Sequence, residues 1–101
     1  MEQQERVAAF IDRHGLDCPL AHRVLDLESE VGELAKEVLV STDYGDRPDD
    51  AAIAVDELGD ALFALLALAE SAGVDAEEAL DVALGKYRQR LDESGDAGSG
   101  A

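Results

Sequence analysis

The sequence predicts an all-α protein, one four-helix bundle-like domain, on three observations. Apolar side chains recur at three- and four-residue steps, no segment alternates β-branched residues with period two, and glycine and proline fall at the breaks between the periodic stretches. A chain of 101 residues holds one modest core, assigned to 1–93. The last residues, 94–101 (SGDAGSGA), read as a disordered tail.

The first helix is expected over about 2–14, with Val7, Phe10 and Ile11 on one side and Gly15 closing it. The second covers 20–41, entered through Pro19, a favoured first-turn residue. Its Leu20, Val24, Leu27, Val31, Leu34 and Val38 step 4-3-4-3-4 along a bundle seam. A polar connection holding Tyr44, Gly45 and Pro48 leads to a third helix over about 50–72, stopped by Gly73. Asp75 followed by Glu78 resembles a capping box and opens the fourth helix, 75–93, which repeats Leu80, Leu84, Tyr87 and Leu91.

The third helix is unlike the others, because Ala61 to Ala69 offers no polar side chain on any side. It should be central, or covered by another subunit. Its alanines permit close helix approach, while Phe63 and Leu66 point away from a Leu58, Leu62, Leu65 stripe, and this second apolar face suggests a homodimer seam.

Charge narrows the partners. Asp and Glu number 24 against 8 Lys and Arg, a net charge of −16, which argues against nucleic acid or an anionic membrane surface. A nine-residue apolar run, Ala61 to Ala69, is far short of the roughly 20 residues of a membrane span. The lone Cys18 and the acidic N-terminal residues fit a reducing cytoplasm rather than secretion. So acidic a surface, with two lysines and no tryptophan, resembles proteins of salt-loving organisms.

Two acidic pairs carry the chemical signal, Glu30-x-x-Glu33 and Glu57-x-x-Asp60. Eight such i, i+3 acid pairs occur in the chain, against roughly six expected by chance, so spacing alone decides nothing. Context separates these two: the others fall at termini, in loops or in a helix first turn, where negative charge is favoured. On a helical wheel Glu57 and Asp60 share a sector with Ile53, Ala61, Ala64 and Leu68, so both are expected on a core face, where unpaired acids oppose folding. A divalent metal is the natural remedy, whereas Glu30 and Glu33, with Asp26 and Glu37, can also be read as a solvated acidic strip.

The segments EVGELAKE (30–37), DELGDALFALLALAE (56–70) and GKYRQR (85–90) resemble the MazG family of all-α nucleotide pyrophosphohydrolases. The family's E-x-x-E and E-x-x-D pairs fall on Glu30, Glu33, Glu57 and Asp60, with Gly32 and Gly59 in their usual places. The resemblance implies an Mg²⁺-dependent hydrolase, with Mn²⁺ as a substitute, that cleaves a nucleoside triphosphate to monophosphate and pyrophosphate. It implies these four acids as metal ligands and catalytic residues, one of them serving as general base, in a homodimer or homotetramer. Glu37, one turn beyond Glu33, is either an additional or supporting acid or an ordinary surface one. Lys86 and Arg90 share a helix edge and are expected to bind substrate phosphates, although cations near a helix C-terminus also complement its dipole; Arg88 faces away. His14 and His22 read as helix-end or surface residues.

Many family members place an aromatic in the N-terminal part to contact the base. Here there is no Trp, and Phe10 and Tyr44 are the aromatics before the third helix, which favours broad removal of non-canonical or surplus nucleotides over one sharply selective site. The competing readings are a catalytically idle nucleotide-binding relative and a plain acidic helical dimerisation module.

Overall fold

The computed structural model describes residues 1–95, and four helices account for most of them: α1 (Glu2–His14), α2 (Leu20–Ser41), α3 (Val55–Ser71) and α4 (Ala76–Ser94). No strand occurs among the described residues. Acidic Glu2 and Glu5 complement the start of α1, and Gly15, at φ 62°, closes it as Leu16 N–H turns back to the Ile11 carbonyl. Gly73, at φ 68°, ends α3 in the same way, with Val74 N–H donating to Ala69 O. Asp75 caps α4 by accepting from Glu77 N–H at 2.9 Å. The segment read as a tail begins inside α4, which runs through Ser94, and its residues 96–101 lie outside the described part.

The third helix starts five residues later than its sequence pattern implies. Pro48–Asp50 form a single 3₁₀ turn, and the chain from Ala51 to Ala54 is extended. The cause is tertiary: Ala52 N–H donates to the Ser41 hydroxyl (3.1 Å) and Ala54 N–H to Glu37 Oε1 (2.7 Å). Two side chains of α2 thus capture backbone donors that would otherwise enter a helical ladder. The preceding loop is pinned by buried Thr42, whose hydroxyl donates to Val38 O and accepts from Gly45 N–H.

The core lies where α3 crosses α1 and α2. Ile11, Ala61, Ala64, Leu66 and Ala67 are buried, and the small alanines let α2 approach α3 closely. Buried Gln4 ties the open end together: its amide donates to Val74 O (2.8 Å) and Glu70 Oε2 (3.1 Å), and its oxygen accepts from Ala76 N–H (2.7 Å). The protomer is nevertheless open. Its radius of gyration is 16.4 Å, against about 13 Å for a compact chain of this length. Helix α4 buries no residue and packs only lightly on α3. The α2 seam is half used, with Leu27, Leu34 and Val38 half-buried but Leu20, Val24 and Val31 exposed.

Candidate functional site

Helices α2 and α3 run their acidic faces toward one another. Glu30 of α2 and Glu57 and Asp60 of α3 each place one carboxylate oxygen so that the three lie within 4.8 Å of one another. The Glu57 carboxyl is raised from the ordinary 4.5, first by partial burial and then by the nearby charges of Asp56, Glu37, Asp60 and Glu33. Among the described residues none of the four paired acids forms a salt bridge with a cationic side chain. The donors are all carboxylate oxygens, a set suited to a hard divalent cation, and their uncompensated charge is what such an ion would neutralise.

The expectation that Glu57 and Asp60 are core-buried needs correction. Glu57 is half-buried and Asp60 exposed, Asp60 opening onto a cavity beside α2 and a groove beside α1; Ile53, from the same sector, is exposed too, while Ala61 and Ala64 are buried. Burial therefore does not argue for a metal here, and convergence does. Glu33 is exposed and lies outside the converging trio, although close enough to press on Glu57. Glu37 caps the approach to α3 through Ala54, while its second carboxylate oxygen is buried with no hydrogen-bond partner among the described residues.

Beside the trio is a cavity of about 280 Å³ bounded by Arg23, Asp26, Glu30, Asp60, Phe63, Ala64 and Ala67. Asp60 and Phe63 also line a wider groove of about 600 Å³ between α1 and α3, where Phe10 meets Phe63 edge-to-face at 6.0 Å and Gln3 and Arg6 form a polar rim. Gly59 opens onto this groove, and beyond their own helix backbone and chain neighbours neither it nor Gly32 has an atom within 4 Å of where a Cβ would stand. Tyr44, the other early aromatic, is exposed in the α2–α3 connection.

Lys86 and Arg90 are not drawn to the acids within this protomer. Neither lines the cavity, and both flank the Tyr87 ring on α4, at 5.3 and 5.8 Å. His14 packs against Phe10 with its ring tilted by 46° at the end of α1, and exposed His22 pairs with Asp26 at 3.7 Å. Arg23 and Phe63 line the cavity but are not among the site residues expected from the sequence. Both had a signal: Arg23 precedes Glu30 by two helical turns, and Phe63 follows Asp60 by one, so each shares a face with an acid.

A bundle in which two helices present clustered carboxylates defines a class, and the comparison with known proteins identifies it: residues 21–94 match the MazG nucleotide pyrophosphohydrolase domain, and the chain belongs to that family. It is 36% identical over 94 residues to the "Uncharacterized protein YpjD" of Bacillus subtilis (strain 168), an alignment spanning 83% of this chain and 82% of that protein. No solved structure matches it significantly. The matched region takes in α2, α3 and α4 and both acidic pairs, but not the Phe10 side of the groove.

Proposed function

We propose that this protein is a Mg²⁺-dependent nucleoside triphosphate pyrophosphohydrolase that releases monophosphate and pyrophosphate, acting broadly on non-canonical or surplus nucleotides. The observation that carries the reading is the convergence of Glu30, Glu57 and Asp60, with no side-chain cation to neutralise them, in a chain of this family. These three hold the cation. Glu33, exposed one turn along α2, either joins them or takes the proton of the attacking water. When bound, Mg²⁺ or Mn²⁺ activates that water and offsets the charge of the departing pyrophosphate. Phe10 and Phe63 offer an aromatic wall for a base, and the groove has few directed polar groups, consistent with loose base selection.

Lys86 and Arg90 suit the outer phosphates; neither lines the acid cavity of its own protomer, and a second copy would bring them to it. The exposed apolar stripes of α3 and α4 favour that arrangement, a homodimer or a dimer of dimers. Among the described residues no helix is long and apolar enough to cross a membrane, which agrees with a cytoplasmic nucleotide substrate.

The test is pyrophosphate release from a panel of canonical and modified NTPs and dNTPs, with Mg²⁺ present or chelated, at low and molar salt. Metal-dependent release is expected, as is its loss in Glu33→Gln and Asp60→Asn with helicity retained. A second reading, an idle nucleotide binder, draws on Glu33 lying outside the trio and on the distant Lys86 and Arg90. Binding without turnover across the panel would select it.

A further inference from the structure

We propose that Arg23 is a substrate-binding residue that grips a phosphate of the nucleotide from the wall of the acid cavity. The inference rests on the pyrophosphohydrolase reading and assigns to that site a cation that lies outside the α4 pair. Arg23 sits in the first turn of α2, is 7% exposed, and is the buried member of the Lys and Arg residues, all of which fall in the described part. One Nη donates to the Leu16 carbonyl at 2.6 Å. Its Nε is buried without a hydrogen-bond partner, and no described carboxylate pairs with the guanidinium, although Asp26, Glu30 and Asp60 line the same cavity.

A buried, unpaired guanidinium opposes folding, so its retention calls for a reason. Stapling the α1–α2 connection through Leu16 accounts for one of its five donors. It does not explain the position of the guanidinium on the cavity wall. The cavity holds both signs unjoined: Arg23 and the carboxylates of Asp26, Glu30 and Asp60 line it without a salt bridge between them. A free cation would answer the acids but repel Arg23, and a free anion would answer Arg23 but meet the carboxylates. A divalent cation carrying a polyphosphate answers both, with the metal toward Glu30, Glu57 and Asp60 and a phosphate toward Arg23. The planar fork of arginine suits phosphate oxygens better than a point charge does.

The decisive experiment is calorimetric titration of a non-hydrolysable α,β-imido nucleoside triphosphate, of inorganic pyrophosphate and of the bare nucleoside, all with Ca²⁺ to prevent turnover. Wild type is compared with Arg23→Met and with Arg23→Gln, which is neutral but keeps an amide donor for Leu16. The expected result is at least a tenfold weaker affinity for both phosphate-bearing probes in either variant, with nucleoside binding unchanged and helicity retained. If Arg23→Met does not fold, the same loss in Arg23→Gln carries the test. Unchanged affinity in a folded variant, with only the melting temperature lowered, would make Arg23 a structural staple and overturn the proposal while leaving the pyrophosphohydrolase reading intact. Failure of wild type to bind either phosphate probe would instead remove that reading and this inference together.

Discussion

At the residue scale, Glu57 reports the state of the site. Its carboxyl binds a proton more tightly in the folded chain than its ordinary 4.5, through partial burial and the neighbouring acids Asp56 and Asp60 of α3 and Glu37 and Glu33 of α2. Because the folded state holds that proton to higher pH than the unfolded chain does, metal-free stability falls as the pH rises from 4.5 to the raised folded value, and the full cost is present above it. Melting temperature against pH in a chelator should therefore show Glu57→Gln more stable than wild type near neutrality, the two curves converging toward pH 4. A pH-independent difference would mean that the repulsion is not felt. Near neutrality Mg²⁺ should raise the wild-type melting temperature and leave Glu57→Gln much less responsive. For turnover, Glu33→Gln and Asp60→Asn test different geometry: Asp60 belongs to the converging trio and Glu33 does not, so an active Glu33→Gln with an inactive Asp60→Asn would confine the site to the trio.

At the element scale, the joint between α1 and the α3–α4 turn centres on one amide, with the Met1 ammonium pairing alongside it to Asp75 and Glu77. Gln4 is buried and makes three hydrogen bonds, two of them to the backbone at Val74 and Ala76. Gln4→Ala removes all three of these part-buried hydrogen bonds and should cost about 1–2 kcal/mol in urea unfolding. A loss below about 0.5 kcal/mol would show that water replaces the amide. The joint also sets the direction of α4, and with it the placement of Lys86 and Arg90. The start of α3 shows the limit of local pattern: residues 50–54 read as helix from composition, but Ser41 and Glu37 claim the N–H groups of Ala52 and Ala54. Nothing local announces that competition, since the partners are 11 and 17 residues away.

At the scale of the whole molecule, the open shape is the governing fact. Leu58, Leu62 and Leu65 on α3 are 56%, 51% and 48% exposed, and α4 leaves Leu80, Val82 and Leu91 outside as well. A second copy would cover these stripes and carry Lys86 and Arg90 toward an acid cluster they do not reach alone. Light scattering over micromolar concentrations should give a mass above 10.7 kDa for wild type, and Leu62→Asp should shift it to the monomer with loss of activity. A monomeric wild type that still hydrolyses nucleotides would show that one protomer suffices. With a net charge of −16, assembly should strengthen with salt, because screening relieves repulsion between copies.

Much of this architecture follows from the chain read alone. The helical class, the ends set by Gly15, Gly73 and Asp75, the carboxylate pairs and the two-faced character of α3 are local properties, written as periodicity, caps and composition over neighbouring residues. The family likewise lies in short segments whose spacing survives folding. Tertiary structure alone decided which acids meet and what surrounds them. Glu30 joins Glu57 and Asp60 while Glu33 stays outside, Asp60 is open to solvent, Arg23 is buried without an anion, and α4 stands apart from the acids. Those outcomes depend on the angle and register at which α2 crosses α3, set by close packing at Ala61, Ala64 and Ala67 and by hydrogen bonds between residues far apart in sequence, and no local pattern encodes them.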